Sequence, residues 1–208
     1  MIELRNVTKQ YGQSSVLNKI DLTVDEPGIY CLLGRNGAGK TTFLKSITGY
    51  QNVTSGQIKV DGKTISAVTL NTWISYIENF AKHFDLPVGK LLRIASKVNE
   101  DFDHSFAVEM MERFELDRKK KFNQLSLGMK TMVSAIVCLA SNRPVVLLDE
   151  PVLGFDTIIR VEFYEMLTKS FRHHPPIIIV STHIIQEIAK TIHKLIMIDK
   201  GCMCSSPY

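Results

Sequence analysis

Long hydrophobic stretches are what this 208-residue sequence most plainly lacks. Crossing a bilayer takes roughly 20 consecutive apolar residues, and strand-like runs such as Val145 to Leu148 and Ile177 to Val180 hold four each. No segment is expected to span a membrane. The opening Met1-Ile2-Glu3-Leu4-Arg5 has neither the basic start nor the apolar core of a secretion leader, which places the chain in the cytoplasm. Cysteine is scarce, with four in the chain. Cys31 and Cys138 sit inside apolar segments, where the residue acts as a small hydrophobe. Cys202 and Cys204 form a lone C-x-C with no histidine or cysteine pair to complete a tetrahedral site. A disulfide scaffold and a structural zinc site are both excluded, and all four thiols are expected to be reduced. An excess of one charge is also missing. The 25 basic and 21 acidic residues leave +4, with Lys119-Lys120-Lys121 as the one run, which is too mild a balance for a nucleic acid partner.

What the sequence does contain is an α/β pattern. With 45% hydrophobic and 22% charged residues it is long enough for one large or two small domains. Alternation at Ile2 and Leu4 and at Ile20, Leu22 and Val24 predicts strands with one buried face, and Ile58-Lys59-Val60 before Asp61-Gly62 predicts a hairpin. Ile29 to Leu33 reads as a strand running into a glycine-rich loop, and Thr41 to Ile47 as a helix stopped by Gly49. From Val88 to Asn123 the pattern is helical, with Phe106, Met110 and Phe114 on one stripe after a cap at Asp103 or Ser105. Met129, Met132, Val133, Ile136, Val137 and Ala140 repeat as one face of a buried helix. Strands at Val145 to Leu148, Ile177 to Val180 and Leu195 to Ile198 then alternate with helices near Ile158 to Phe171 and Ile184 to Ile192, which implies parallel pairing with right-handed crossovers.

Three segments carry chemistry. Gly34-Arg35-Asn36-Gly37-Ala38-Gly39-Lys40-Thr41 fits G-x-x-x-x-G-K-[ST] and falls between an apolar strand and a helix. Glycines let successive N–H groups face phosphate oxygens, the helix start adds its positive end, Lys40 reaches the outer phosphates and Thr41 offers a hydroxyl to magnesium. Val145 to Leu148 runs into the adjacent carboxylates Asp149 and Glu150, the pattern needed if one holds the metal through water and the other polarises the attacking water. Between them, Leu125-Ser126-Leu127-Gly128-Met129-Lys130 opens a long helix.

Taken together these segments resemble the ATP-binding cassette ATPases, over essentially the whole chain from Met1 to about Gly201. The resemblance implies a P-loop NTPase fold: a mixed-sheet core, an N-terminal antiparallel β subdomain and a helical subdomain. It implies one cassette over residues 1–208, with about 1–80 and 140–208 as catalytic core and about 81–139 as helical subdomain including the signature helix. It carries over to Tyr11 as the ring that stacks on adenine, to Asn36, Gly37, Ala38, Gly39, Lys40, Thr41 and Thr42 as the phosphate loop, and to Ser126 and Gly128 as signature residues that touch phosphate. Asp149 corresponds to the magnesium-associated aspartate, Glu150 to the catalytic carboxylate, Asp156 to the D-loop aspartate and His183 to the switch histidine. ATP and Mg2+ are the implied cofactors.

The departures are specific. Asn79, at the end of Ile74-Ser75-Tyr76-Ile77-Glu78-Asn79, stands where a longer glutamine usually reaches metal and attacking water. Leu127 replaces the first glycine of the signature and Met129 its glutamine, while Val152 follows the Glu-Pro pair where Thr or Ser is common. Leucine-containing signatures are similar to those of bacterial exporter ATPases of the bacitracin-resistance type. The implied function is the ATPase subunit of an exporter, peripheral on the inner face of the cell membrane. Its implied partners are a polytopic membrane subunit docked near Asn79 and the helical insert, with Phe80, Phe84 and Leu86 either as groove residues or as part of the insert's own core, and a second ATPase domain, as homodimer or paralogue. A regulatory nucleotide-binding subunit and a soluble mechanical ATPase are the competing readings. Retained Glu150 and His183 oppose the first, and the short spacing between Asn79 and Leu125, too small for a coiled-coil insertion, opposes the second.

Overall fold

The computed structural model describes residues 1–66, 72–78, 85–173 and 175–204. The chain opens with β1 (Ile2–Tyr11) and β2 (Ser14–Val24), paired antiparallel, and β4 (Ser55–Val60) pairs with the other edge of β1. β5 (Lys63–Thr64) folds back on β4 through Asp61 and Gly62, whose φ values of 48° and 75° are the left-handed pair of a two-residue hairpin. These four strands form one antiparallel sheet in the order β2-β1-β4-β5.

The second sheet has six strands. β3 (Gly28–Leu33), β6 (Ile74–Ile77), β7 (Val145–Asp149), β8 (Ile177–Thr182) and β9 (Lys194–Asp199) run parallel, and β10 (Cys202–Cys204) closes one edge antiparallel, in the order β10-β9-β3-β8-β7-β6. Side chains alternate across it. Tyr30, Leu32, Val145, Leu147, Ile177 and Ile179 face the antiparallel sheet and α1 (Lys40–Thr48), and Phe43, Leu44 and Ile47 of that helix are fully buried among them. Ile29, Cys31, Val146, Leu148, Ile178 and Val180 face the helices on the other side. Near-continuous apolar strands are what a parallel sheet covered on both faces requires.

Helices α2 (Val88–Val98), α3 (His104–Arg113) and α4 (Leu127–Ala140) pack against one another, and α4 also packs on β6 and β7. Asp103 is the cap of α3, accepting the Phe106 N–H at 2.8 Å. Phe106 and Met110 are buried as the stripe requires, whereas Phe114 is half-buried at the helix end. Met132 of α4 is core, but Met129 is half-buried. α5 (Thr157–His173) crosses back to β8. The helix expected from Ile184 to Ile192 shrinks to α6 (Ile185–Ile188), a single turn. Its isoleucines are β-branched, poor helix formers, and Ile192 already bonds to the Ile188 carbonyl as the chain turns toward β9. The edge strand β6 carries no sequence signal, because its four residues are all half-buried and do not alternate.

Phe43 marks the joint of the two sheets. Truncation to alanine is expected to cost about 3–5 kcal/mol, lowering the urea midpoint of the nucleotide-free chain with an unchanged slope.

Candidate functional site

The parallel register brings three strand ends together: Leu33 pairs with Thr182, and Asp149 with Ser181. The chain leaves β3 through the glycine-rich loop. A Cβ on Gly34 would lie 2.5 Å from the Ile198 carbonyl oxygen, and one on Gly39, at φ 106°, would lie 2.8 Å from that of Val16. These two glycines are demanded by packing. Gly37, at φ 82°, faces open space.

A cleft of about 250 Å³ opens above the loop, lined by Val16, Arg35, Asn36, Gly37, Gly39, Lys40, Thr41, Thr42 and Glu150. Ala38 is not part of this lining. Its side chain is buried and its N–H is spent on the Arg35 carbonyl at 3.1 Å. The loop is clamped from behind: the Gly201 N–H donates to the Ala38 carbonyl at 3.1 Å, and the Asn18 N–H donates to the Gly201 carbonyl at 2.8 Å.

Lys40, 6% exposed, donates from Nζ to the Gly34 carbonyl at 2.7 Å and the Arg35 carbonyl at 3.3 Å, and stands 3.1 Å from Glu150 Oε1. The other Glu150 oxygen lies 3.1 Å from His183 Nδ1. One carboxylate thus joins a buried ammonium to an exposed imidazole. Glu150 has φ 47°, a left-handed conformation that costs a non-glycine residue about 1–3 kcal/mol and collects at functional sites. It is held there by Ser181, whose Oγ accepts the Glu150 N–H at 2.9 Å while donating to Asp149 Oδ1 at 2.6 Å. Asp149 is buried beneath.

Ser126 and Gly128 lie apart from this cleft, as the sequence order suggests. Ser126 caps α4 by accepting the Met129 N–H, and both residues line a second pocket of about 200 Å³ with Met129, Gly154, Phe155 and Asp156. The two pockets have no lining residue in common. Tyr11 ends β1 with its ring 48% exposed and the Lys9 ammonium 4.9 Å from its centroid. Asn79, Phe80 and Phe84 lie outside the described residues. Leu86 is half-buried, with its carbonyl accepting the Phe122 N–H. Glu78, the neighbour of Asn79, pairs with Lys45 of α1. Nothing in the sequence singles out Val16, a strand residue brought to the cleft by tertiary packing, nor the double duty of Ser181, visible there as no more than the start of Ser181-Thr182-His183.

Among the described residues no three His, Cys, Asp or Glu side chains cluster as a metal cage, and no helix is long and apolar enough to cross a membrane. The oxygen donors Thr41 and Asp149 beside a phosphate cradle suit magnesium, which takes few protein ligands and shares the phosphates of its nucleotide.

A family model described as "ABC transporter" matches residues 17–153. The chain is 31% identical to the ABC transporter ATP-binding protein YtrB of Bacillus subtilis, over 94% of this chain and 68% of that protein. It is 32% identical to the bacitracin transport ATP-binding protein BcrA of Enterococcus faecalis, over 97% of this chain and 67% of that protein. Among solved structures, the ATP-binding subunit of an ABC transporter superposes with a TM-score of 0.86 at 23% identity, covering 98% of this chain and 88% of that one.

The four cysteines are free thiols in two classes. Burial pushes the Cys31 thiol up to about 11, with the Glu150 carboxylate adding to the rise and Lys40 opposing it. Burial pushes Cys138 up to about 12. Both stay protonated well above neutrality, and the thiolate is the reactive form. At about pH 8, iodoacetamide should alkylate exposed Cys202 and Cys204 in the native chain and reach the other two only after unfolding. Rapid native labelling at Cys31, read by peptide mass, would contradict this burial.

Proposed function

The chain belongs to the ABC transporter ATPase family, and from that premise we propose that it is the ATP-binding and hydrolysing subunit of an exporter, driving a separate membrane subunit as two cassettes close on ATP. The observation that carries this reading is the linkage of Lys40, Glu150 and His183 at the mouth of the phosphate cleft.

ATP enters with its phosphates on the loop residues that line the cleft, Asn36, Gly37 and Gly39 to Thr42, where backbone N–H groups and the start of α1 favour anionic oxygens. Lys40 exchanges its contacts with Gly34, Arg35 and Glu150 for the outer phosphates. That exchange frees the Glu150 carboxylate to face water. Thr41 and Asp149, with Asn79 as a further oxygen donor, would hold Mg2+, which when bound neutralises charge developing on the transferred phosphoryl group. Glu150 accepts a proton from water as the water oxygen bonds to the γ-phosphorus and the bond to the β–γ bridging oxygen breaks, leaving ADP and phosphate. His183 steers that carboxylate through Nδ1. Tyr11 stacks on the adenine, its exposed face available at the end of β1.

The separation of Ser126 and Gly128 from the cleft supports a composite site in which the signature pocket of one cassette covers the nucleotide of another. The partner is a second copy or a paralogue. We assign residues 1–208 to one cassette, with about 81–139 as its helical subdomain. An apolar groove of about 470 Å³ between β6, α2 and α4, lined by Tyr76, Ile77, Leu91, Val133 and Val137 among others, supports docking of the membrane subunit there. The chain is then peripheral on the inner face of the membrane. The names of YtrB and BcrA, one of them a bacitracin transport protein, support a transporter role, and the leucine-containing signature at Leu127 carries the lean to export.

Glu150→Gln should retain ATP binding while slowing turnover by at least ~100-fold, the loss expected for a positioned general base. A wild-type rate in that variant would remove Glu150 from the role. In the same background, light scattering with magnesium and ATP should register a dimer, and adding Ser126→Arg should return it to monomer. A Glu150→Gln protein that stays monomeric with ATP and the membrane subunit both present would overturn the composite site.

A further inference from the structure

One ion pair beyond the cleft joins the two segments that flank the hydrolytic residues. Arg160, in the first turn of α5, donates from Nε to the Phe155 carbonyl at 2.9 Å and from Nη1 to Glu187 of α6. Phe155 belongs to the loop 151–156, which carries Asp156 and lines the signature pocket. Glu187 follows His183 by a single turn of chain.

Both ends of this tie are short segments, each seated on the core by a buried apolar side chain. α6 is four residues long, too short to persist by its own hydrogen bonds. Buried Ile188 anchors it on the core and Glu187 anchors it on Arg160. His183 sits between this turn and the buried end of β8 at Thr182. The loop side is seated by ring packing, Phe155 edge-on to Phe163 at 6.0 Å and Phe163 edge-on to Tyr164 at 5.7 Å. The pair is half-buried, with side chains 29% and 24% exposed. Glu187 Oε2 and the Tyr164 hydroxyl are buried without a hydrogen-bond partner among the described residues. With one oxygen enclosed and the other on Nη1, Glu187 takes its side-chain placement from the arginine.

We propose that the Arg160–Glu187 pair is a positioning device for hydrolysis: it binds the loop 151–156 to the segment after His183, so that a partner cassette pressing on the loop sets the placement of His183 on Glu150. The idea rests on the two-cassette reading above and names the connection through which the interface would reach the hydrolytic residues. Arg160 and Glu187 act through His183 and touch neither nucleotide nor water themselves.

The test compares Arg160→Met, Glu187→Gln, the double variant and Glu187→Asp, each in the full chain, by steady-state ATP hydrolysis, ATP-dependent dimerisation and thermal unfolding. Both single variants are expected to lower kcat about 10-fold or more with KM changed less than about 3-fold, the pattern of lost transition-state positioning. ATP-dependent dimerisation should persist, since the phosphate loop and the signature residues are untouched. The double variant should lose no more than the worse single one, because the two residues act as a unit. Glu187→Asp, which keeps the charge and loses one methylene, should recover part of kcat and guards against misfolding in the harsher variants. An unchanged kcat beside a lowered Tm would make the pair merely structural and overturn the proposal, as would losses that multiply in the double variant. A wild-type chain without ATPase activity would sink the hydrolytic reading itself and the pair with it, whereas an active wild type with indifferent variants would sink the pair alone.

Discussion

The arrangement of this protein turns on one carboxylate that has to satisfy an ammonium and an imidazole from a strained backbone. Glu150 reaches Lys40 with one oxygen and His183 with the other, and it does so from φ 47° just past the end of β7. An extended residue there would continue the strand and aim its side chain into one of the two cores. The left-handed turn brings it instead over the strand ends, and Ser181 holds that turn from the neighbouring strand by one hydroxyl shared between the Glu150 N–H and the Asp149 carboxylate. The site is therefore a property of β7 and β8 together. A register shift of one residue between them would separate Ser181 from Asp149 and release the turn.

The sheet explains why the chemistry gathers where it does. Its two faces are filled, one by the antiparallel sheet and α1, the other by the helices. Neither face has room for a triphosphate. Backbone groups at the carboxyl ends of β3, β7 and β8 are the ones left to turn outward, which is the general location of ligand sites in open parallel sheets. Lys40 fills its need for acceptors with two loop carbonyls and Glu150. The charges of the cleft are thus positioned by the chain's own groups.

Much of this was legible in the amino-acid order because local chemistry and tertiary role coincide. The spacing of Gly34, Gly39 and Lys40 states a loop geometry that the packing of Ile198 and Val16 then enforces. The run from Val145 into Asp149 and Glu150 states a buried strand with a charged end. Legibility failed where the deciding contact is distant or the pattern is short. The edge strand β6 is half-buried throughout and so has no alternation to read. The isoleucines from Ile184 to Ile192 mimic a helical period, yet a single one, Ile188, is buried, and one turn suffices to bury it. Val16 reaches the cleft through the pairing of β2, and Arg160 and Glu187 meet across two elements. No local pattern encodes such a meeting.

The clamp behind the phosphate loop has a consequence for how the molecule comes into being. The Ala38 carbonyl and the Asn18 N–H are both held by Gly201, in the turn between β9 and β10. A Cβ at that glycine would come within 2.3 Å of the Val16 carbonyl oxygen, so the junction tolerates no other residue without a backbone shift. Translation proceeds from the N-terminus at about 5–20 residues per second, so the loop leaves the ribosome long before its clamp. A nascent chain carries the residues that would recognise ATP but not the strand turn that fixes their shape, and the strands that bear Glu150 and His183 also come later. Nucleotide capture is in this way deferred until Gly201, far downstream of the loop in the sequence, has been made and its turn has closed behind Ala38.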